Sequence, residues 1–127
     1  PQQELGWTAV KRSASVSNRY FQPPSEIEVM QWHSETFEIP KGAVRLAENQ
    51  ICTNQMYQIG ENVLGFQFHP EITPQVLKSF IENEEHEKQF SAHFKPQIEI
   101  LKKSKKQQFE AGNMLLNSAI DYVLREK

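Results

Sequence analysis

The sequence is short of cysteine, of net charge and of long apolar runs, and each shortage excludes something. Its 127 residues include one cysteine. No internal disulfide can therefore staple the fold, which fits a reducing, cytoplasmic setting. Lys and Arg number 14 against 16 Asp and Glu, a formal net charge of −2. That balance is too weak to single out nucleic acid or a membrane surface as a partner. No apolar stretch approaches the roughly 20 residues of a membrane span, and no signal peptide is visible. The sequence also lacks internal repeats, low-complexity segments and any Cys/His group at metal-ligand spacing, so neither metal nor cofactor is expected. The length suits one domain. The hydrophobic fraction, 38%, is somewhat low for a globular chain, because the region after about residue 82 is much more polar than the middle. The chain opens Pro1-Gln2-Gln3 without methionine, as an excerpt or a processed piece would.

The stretch that organises the rest is Val63-Leu64-Gly65-Phe66-Gln67-Phe68-His69-Pro70-Glu71. Its apolar start, following the turn-like Gly60-Glu61-Asn62, predicts a mostly buried strand. Pro70 cannot continue a central ladder. Thr73-Pro74 supplies an N-cap and a first helical residue. The order is thus strand, short polar loop, helix, with His69 and Glu71 at the strand's carboxyl end, where α/β sheets tend to hold ligands. In extended backbone, residues two apart point the same way. A carboxylate at 71 can then accept the imidazole N–H of residue 69 and leave the other ring nitrogen free as a base. A plain strand-end surface salt bridge would use the same triplet.

Around this stretch the pattern predicts short, tightly connected strands. One covers Leu5–Val10, with Leu5, Trp7 and Ala9 on one face; a second covers Ile27–Trp32, with Ile27, Val29 and Gln31 together. A third covers Ala43–Ala47, and a fourth lies within Ile51–Ile59, best formed from Gln55. The fourth closes a hairpin onto the Val63–Phe68 strand. Beyond Pro74 the period becomes helical: Val76, Leu77, Phe80 and Ile81 form one apolar stripe. A break is expected at Lys95-Pro96. A basic run, Lys102–Lys106, reads as a solvated linker. A last amphipathic helix follows, with Phe109, Gly112, Leu116, Ala119/Ile120 and Val123 on its apolar side. Gly112 weakens that helix by roughly 1 kcal/mol relative to Ala.

With these pieces placed, residues 5 to 75 resemble the class I, triad-type glutamine amidotransferases, most nearly the stand-alone, GMP-synthase-like members. The residues that carry the resemblance are Leu5-Gly6-Trp7, the run Trp32-His33-Ser34-Glu35-Thr36-Phe37-Glu38-Ile39-Pro40, Ala43-Val44-Arg45-Leu46-Ala47, Cys52-Thr53-Asn54-Gln55, and Gly65-Phe66-Gln67-Phe68-His69-Pro70-Glu71. Together and in this order they are specific; His-Pro-Glu alone is not.

The resemblance implies an α/β fold, flavodoxin-like and three-layered, of which this chain is the C-terminal half: short mixed or antiparallel strands over residues 1–82, then a helical tail over 83–127. It implies that glutamine is hydrolysed to glutamate and ammonia by a cysteine thiolate, a proton-managing histidine and an orienting carboxylate. By position, His69 is the general base and acid and Glu71 its orienter. His33, Ser34 and Glu35 match the segment whose backbone helps hold the substrate's amino-acid end. The family's nucleophile sits on a glycine–any–cysteine–any–glycine turn well before the Leu5-Gly6-Trp7 position, and this chain has no such motif. Cys52 matches a non-catalytic position and reads as a small, buried structural residue.

The expectations follow. The chain alone is inactive and pairs with a missing N-terminal half that carries the nucleophile, or else self-associates. The ammonia would feed a synthetase. Two alternatives stand beside this: a hydrolase of another γ-glutamyl amide on the same fold, and a triad-deficient, non-catalytic binding domain.

Overall fold

A computed structural model describes residues 3–14 and 16–125; the Pro1-Gln2 opening lies outside it. Five strands come first: β1 (Glu4–Arg12), β2 (Glu26–His33), β3 (Val44–Glu48), β4 (Met56–Ile59) and β5 (Val63–Phe66). Helices follow: α1 (Pro74–Glu87), α2 (Lys95–Leu101), entered through a 3-10 turn at Ala92–Phe94, and α3 (Lys106–Leu124). The strands form one sheet in the order β2-β1-β3-β4-β5. Every pairing is antiparallel. Among the described residues, no helix is long and apolar enough to cross a membrane.

β2 shows why the sheet is buried on both sides. Ile27, Val29 and Gln31 share one face as expected and are buried, while Met30 on the opposite face is 1% exposed. Val29 joins a core with Val10, Leu46, Met56 and Phe68; Met30 joins a second with Leu5, Leu77, Ile81 and Leu101. α3 contributes to both, Leu115 and Ala119 to the first and Phe109 to the second. Each fully buried aliphatic or Phe side chain is worth about 1.5–3 kcal/mol relative to exposure. In β1, Leu5 and Trp7 pack into the second core, but Ala9, opposite Glu28, is exposed.

Two local expectations, for β5 and α3, need correction, and the start of β4 is refined by one residue. β5 pairs only with β4 and forms the sheet's edge; Val63 is 49% exposed and the rest of the strand is half-buried. An apolar run cannot say whether a second strand covers its far side, and the buried Phe68 lies past the ladder's end. β4 begins only at Met56, because side chains fold the preceding residues into a turn: Asn49 Oδ1 accepts from the Cys52 amide (2.7 Å) and Gln55 Nε2 donates to the Cys52 carbonyl (3.0 Å). The buried stripe of α3 is Phe109, Gly112, Leu115 and Ala119, with Ile120 outward at 45% exposure. Tyr122 draws the helix round: it packs edge-on against Phe21, and its hydroxyl accepts from Gln58 Nε2 at 2.8 Å. Hydroxyl-bearing residues are easily left out of an apolar count.

Gly60 and Thr73 behave as read. Gly60, at φ 59°, takes the left-handed turn between β4 and β5 that side chains resist. Thr73 caps α1, accepting from the Val76 amide at 3.3 Å. Of the basic run, Lys102 is held by Glu85 (3.3 Å) and Glu99 (3.1 Å), and hydrogen bonds to Glu99 and Glu85 keep its ammonium above the usual lysine range.

Candidate active site

The His69-Pro70-Glu71 triplet sits at a seam. Phe68 is anchored in the first core and Ile72 in the second, both nearly inaccessible. Between those anchors the chain must cross from one core to the other, leaving three residues in neither strand nor helix. The upstream end is tied to the sheet: the Gln67 amide donates to the Gln55 carbonyl (2.8 Å) and the His69 amide to the Met30 carbonyl (2.9 Å). The downstream end enters α1 through Thr73.

Within the triplet, His69 Nδ1 lies 2.8 Å from Glu71 Oε2. The ring is 28% exposed and the carboxylate 50%. An ion pair this open contributes only about 0–1 kcal/mol, so its value is geometric. His69 Nε2 lies 3.2 Å from the Trp32 carbonyl. Both ring nitrogens therefore face oxygen acceptors, and a neutral imidazole, with one N–H, can donate to only one of them. The ring stacks edge-on against Phe80 (5.4 Å), which contacts Trp32 in turn (5.4 Å). Trp32, His69, Phe80, Asn83, Glu87 and Gln89 line an open cleft of about 250 Å³, at the small end of ligand sites.

Residues 33 to 35 continue β2 beside this cleft. His33 is buried, and its ring is turned inward. Nε2 meets Glu4 Oε1 at 2.9 Å and Nδ1 meets the Glu35 carbonyl at 2.6 Å. Ser34 accepts from Gln89, a cleft residue, at 3.1 Å; Glu35 is exposed. The segment meets the cleft through the Ser34–Gln89 contact, while the His33 ring is turned away into the interior. Trp32 both packs against the second core and walls the cleft.

Sequence reasoning missed the group that holds His33. Glu4, 2% exposed, also accepts from Asn49 Nδ2 and Gln55 Nε2, each at 2.9 Å. Burial alone would raise its carboxyl; the hydrogen bonds from His33, Asn49 and Gln55 outweigh that and hold it below the usual carboxylate range. Cys52 is fully buried, bonded to the Thr36 hydroxyl (2.9 Å) and the Asn54 carbonyl (3.8 Å). Its Sγ lies within 4.8 Å of the ligand atoms of Glu4 and His33. Those three side chains are the metal-capable group found among the described residues. Each is already satisfied by protein partners, and Glu4 and His33 by one another, so they read as a hydrogen-bond network. No local signal in the sequence marks Glu4, Asn49 or Gln55 as its members.

The sequence profile of the glutamine amidotransferase class-I family matches residues 2–89. The chain is 28% identical over 60 residues to gamma-glutamyl peptidase 3 of Arabidopsis thaliana, covering 46% of this chain and 24% of that protein. It is 33% identical over 63 residues to the putative glutamine amidotransferase-like protein YfeJ of Salmonella typhimurium, covering 50% and 26%. The crystal structure of a glutamine amidotransferase from Thermotoga maritima superposes with a TM-score of 0.73 at 24% identity, covering 98% of this chain and 52% of that one; this shows a shared fold. The chain spans about a quarter of the length of those two curated relatives.

Proposed function

Since this chain belongs to the class I glutamine amidotransferase family, we propose that it forms the histidine–carboxylate part of a glutaminase that splits glutamine into glutamate and ammonia. The observation that carries this reading is the His69 Nδ1–Glu71 Oε2 contact of 2.8 Å beside an open cleft. Glu71 fixes which ring nitrogen bears the proton, and Nε2 is the nitrogen that meets a thiol. The thiol comes from a polypeptide segment outside these 127 residues, because Cys52 is buried against Thr36. Nε2 takes the thiol's proton, the thiolate attacks the amide carbon, and the ring passes that proton to the departing nitrogen. The ring then takes a proton from the water that hydrolyses the thioester. Ser34 and the backbone of residues 33–35 would hold the substrate's amino-acid end. On this reading the 127-residue chain alone is inactive, and the complete enzyme works in the cytoplasm and releases ammonia to a synthetase. The motif order from Leu5-Gly6-Trp7 to His69-Pro70-Glu71 supports a GMP-synthase-like member of that family.

A second reading is favoured by the Arabidopsis relative, named as a gamma-glutamyl peptidase: the same groups would open a different γ-glutamyl amide. A triad-deficient binding domain is the non-catalytic alternative. The test is turnover of glutamine and of γ-glutamyl conjugates by the polypeptide that contains this chain together with its nucleophile. His69→Ala should lower kcat by about 10²–10⁴-fold. Unchanged turnover removes His69 from the chemistry, and no turnover of either substrate class by the parent favours the binding domain.

A further inference from the structure

α3 lies some forty residues beyond the triplet in sequence, yet it reaches the triplet's backbone. The side-chain amide of Asn113 donates to two carbonyls of the crossing segment, that of Pro70 at 2.8 Å and that of Ile72 at 3.0 Å. Pro70 stands between His69 and Glu71, and Ile72 directly follows Glu71. An amide NH₂ has two hydrogens, so one side chain grips the segment on both sides of the carboxylate residue. The neighbouring Gly112 packs on the same segment with room for a methyl. A Cβ there would meet Pro70 Cα at 3.4 Å and the Pro70 carbonyl oxygen at 3.5 Å, and Gly112 is buried against it. Neither carbonyl belongs to a strand or helix, and buried carbonyls without a partner are costly.

We infer that Asn113 is a positioning residue for the His69–Glu71 pair, holding the Pro70–Ile72 backbone so that Glu71 stays on Nδ1 of the ring. The inference deepens the reading proposed above and rests on it. β2 fixes the histidine end of the triplet through the Met30 carbonyl; α3 fixes the carboxylate end. With only the first tie, Glu71 is free to swing toward solvent, which already covers half of it.

The test reads the ring itself. The ¹⁵N shifts of His69 in the 127-residue chain report which nitrogen carries the proton when the ring is neutral. In the parent, the Nδ1–H form should predominate. Asn113→Asp keeps the shape but sets a carboxylate against two carbonyl oxygens. It should reduce the Nδ1–H population several-fold, the proton moving to Nε2 and the Trp32 carbonyl. Asn113→Ala, which removes the donor without repulsion, should move the ring in the same direction and serves if the Asp variant does not fold. Gly112→Ala keeps the clamp and should leave the ring unchanged. Glu71→Ala separates the two readings. If it shifts the ring while both Asn113 variants leave it as in the parent, the clamp is wrong and the pair stands. If neither Glu71→Ala nor the Asn113 variants move the ring, the pair and the clamp fall together.

Discussion

Replacing Glu4 with alanine removes a carboxylate shared by three donors, from the buried His33 and Gln55 and the half-buried Asn49, each at 2.9 Å. Leaving a buried donor without its acceptor costs about 1–3 kcal/mol, and three donors lose theirs here. That is a large share of the roughly 5–15 kcal/mol that keeps a domain folded. Trp7 and Trp32 both pack against the second core, so urea unfolding followed by tryptophan fluorescence should show the loss directly. Asn49 and Gln55 still lose an acceptor in the Glu4→Ala/His33→Ala double variant, but no unpaired imidazole remains. The double variant should therefore lose less than the sum of the single losses, by at least about 1 kcal/mol. Additivity within about 0.5 kcal/mol would refute the network.

The same group sets an acid limit. Its folded-state carboxyl lies below the usual range, so between the folded and unfolded values the unfolded chain binds the extra proton. The stability Glu4 contributes is then fully present above the unfolded value of about 4.3 and is lost as pH falls through the lower folded value. Glu4→Gln should flatten that part of the stability–pH curve, measured as urea midpoints between neutral and acid pH; an unchanged acid slope would exclude Glu4 as its source.

Two further substitutions test the elements that carry the triplet. Thr73→Ala removes the side chain that accepts from the Val76 amide and should lower stability by about 1 kcal/mol, read from urea unfolding; because Thr73 sets the downstream end of the crossing segment, amide exchange at Ile72 should also quicken. Gly112→Ala should raise stability by roughly 0.5–1 kcal/mol through helix propensity, since an added methyl meets Pro70 at ordinary contact distance; a loss of stability would show that α3 sits closer to Pro70 than described.

Much of the fold was legible because it is written in local terms. Alternation marked β2 and β3, and the Gly60 turn marked the hairpin. Thr73-Pro74 marked the start of α1, whereas the break expected at Lys95-Pro96 is absent: Lys95 is helical (φ −54°, ψ −41°), and the 3-10 turn runs straight into α2. What escaped was whatever depends on a neighbour distant in sequence. Whether β5 is central or an edge is decided by what does or does not pair beyond it. Which side of α3 faces inward is decided by Tyr122 meeting Phe21 and Gln58, residues 101 and 64 positions away. Periodicity counts apolar side chains along one element and is blind to both.

The candidate site divides in the same way. His69 and Glu71 could be paired from spacing alone, because a two-residue offset on extended backbone is a local geometric fact. The residues that make the pairing hold are not local. Phe68 and Ile72 commit to different cores, Met30 fixes the histidine's amide, and Asn113 takes the carbonyls on either side of Glu71. A segment without regular structure lacks ladder partners for its own backbone, so its conformation has to be imposed from outside. Here the imposition comes from β2 on one side and α3 on the other. The polar C-terminal helices, unremarkable by sequence, thereby become part of how the imidazole is aimed.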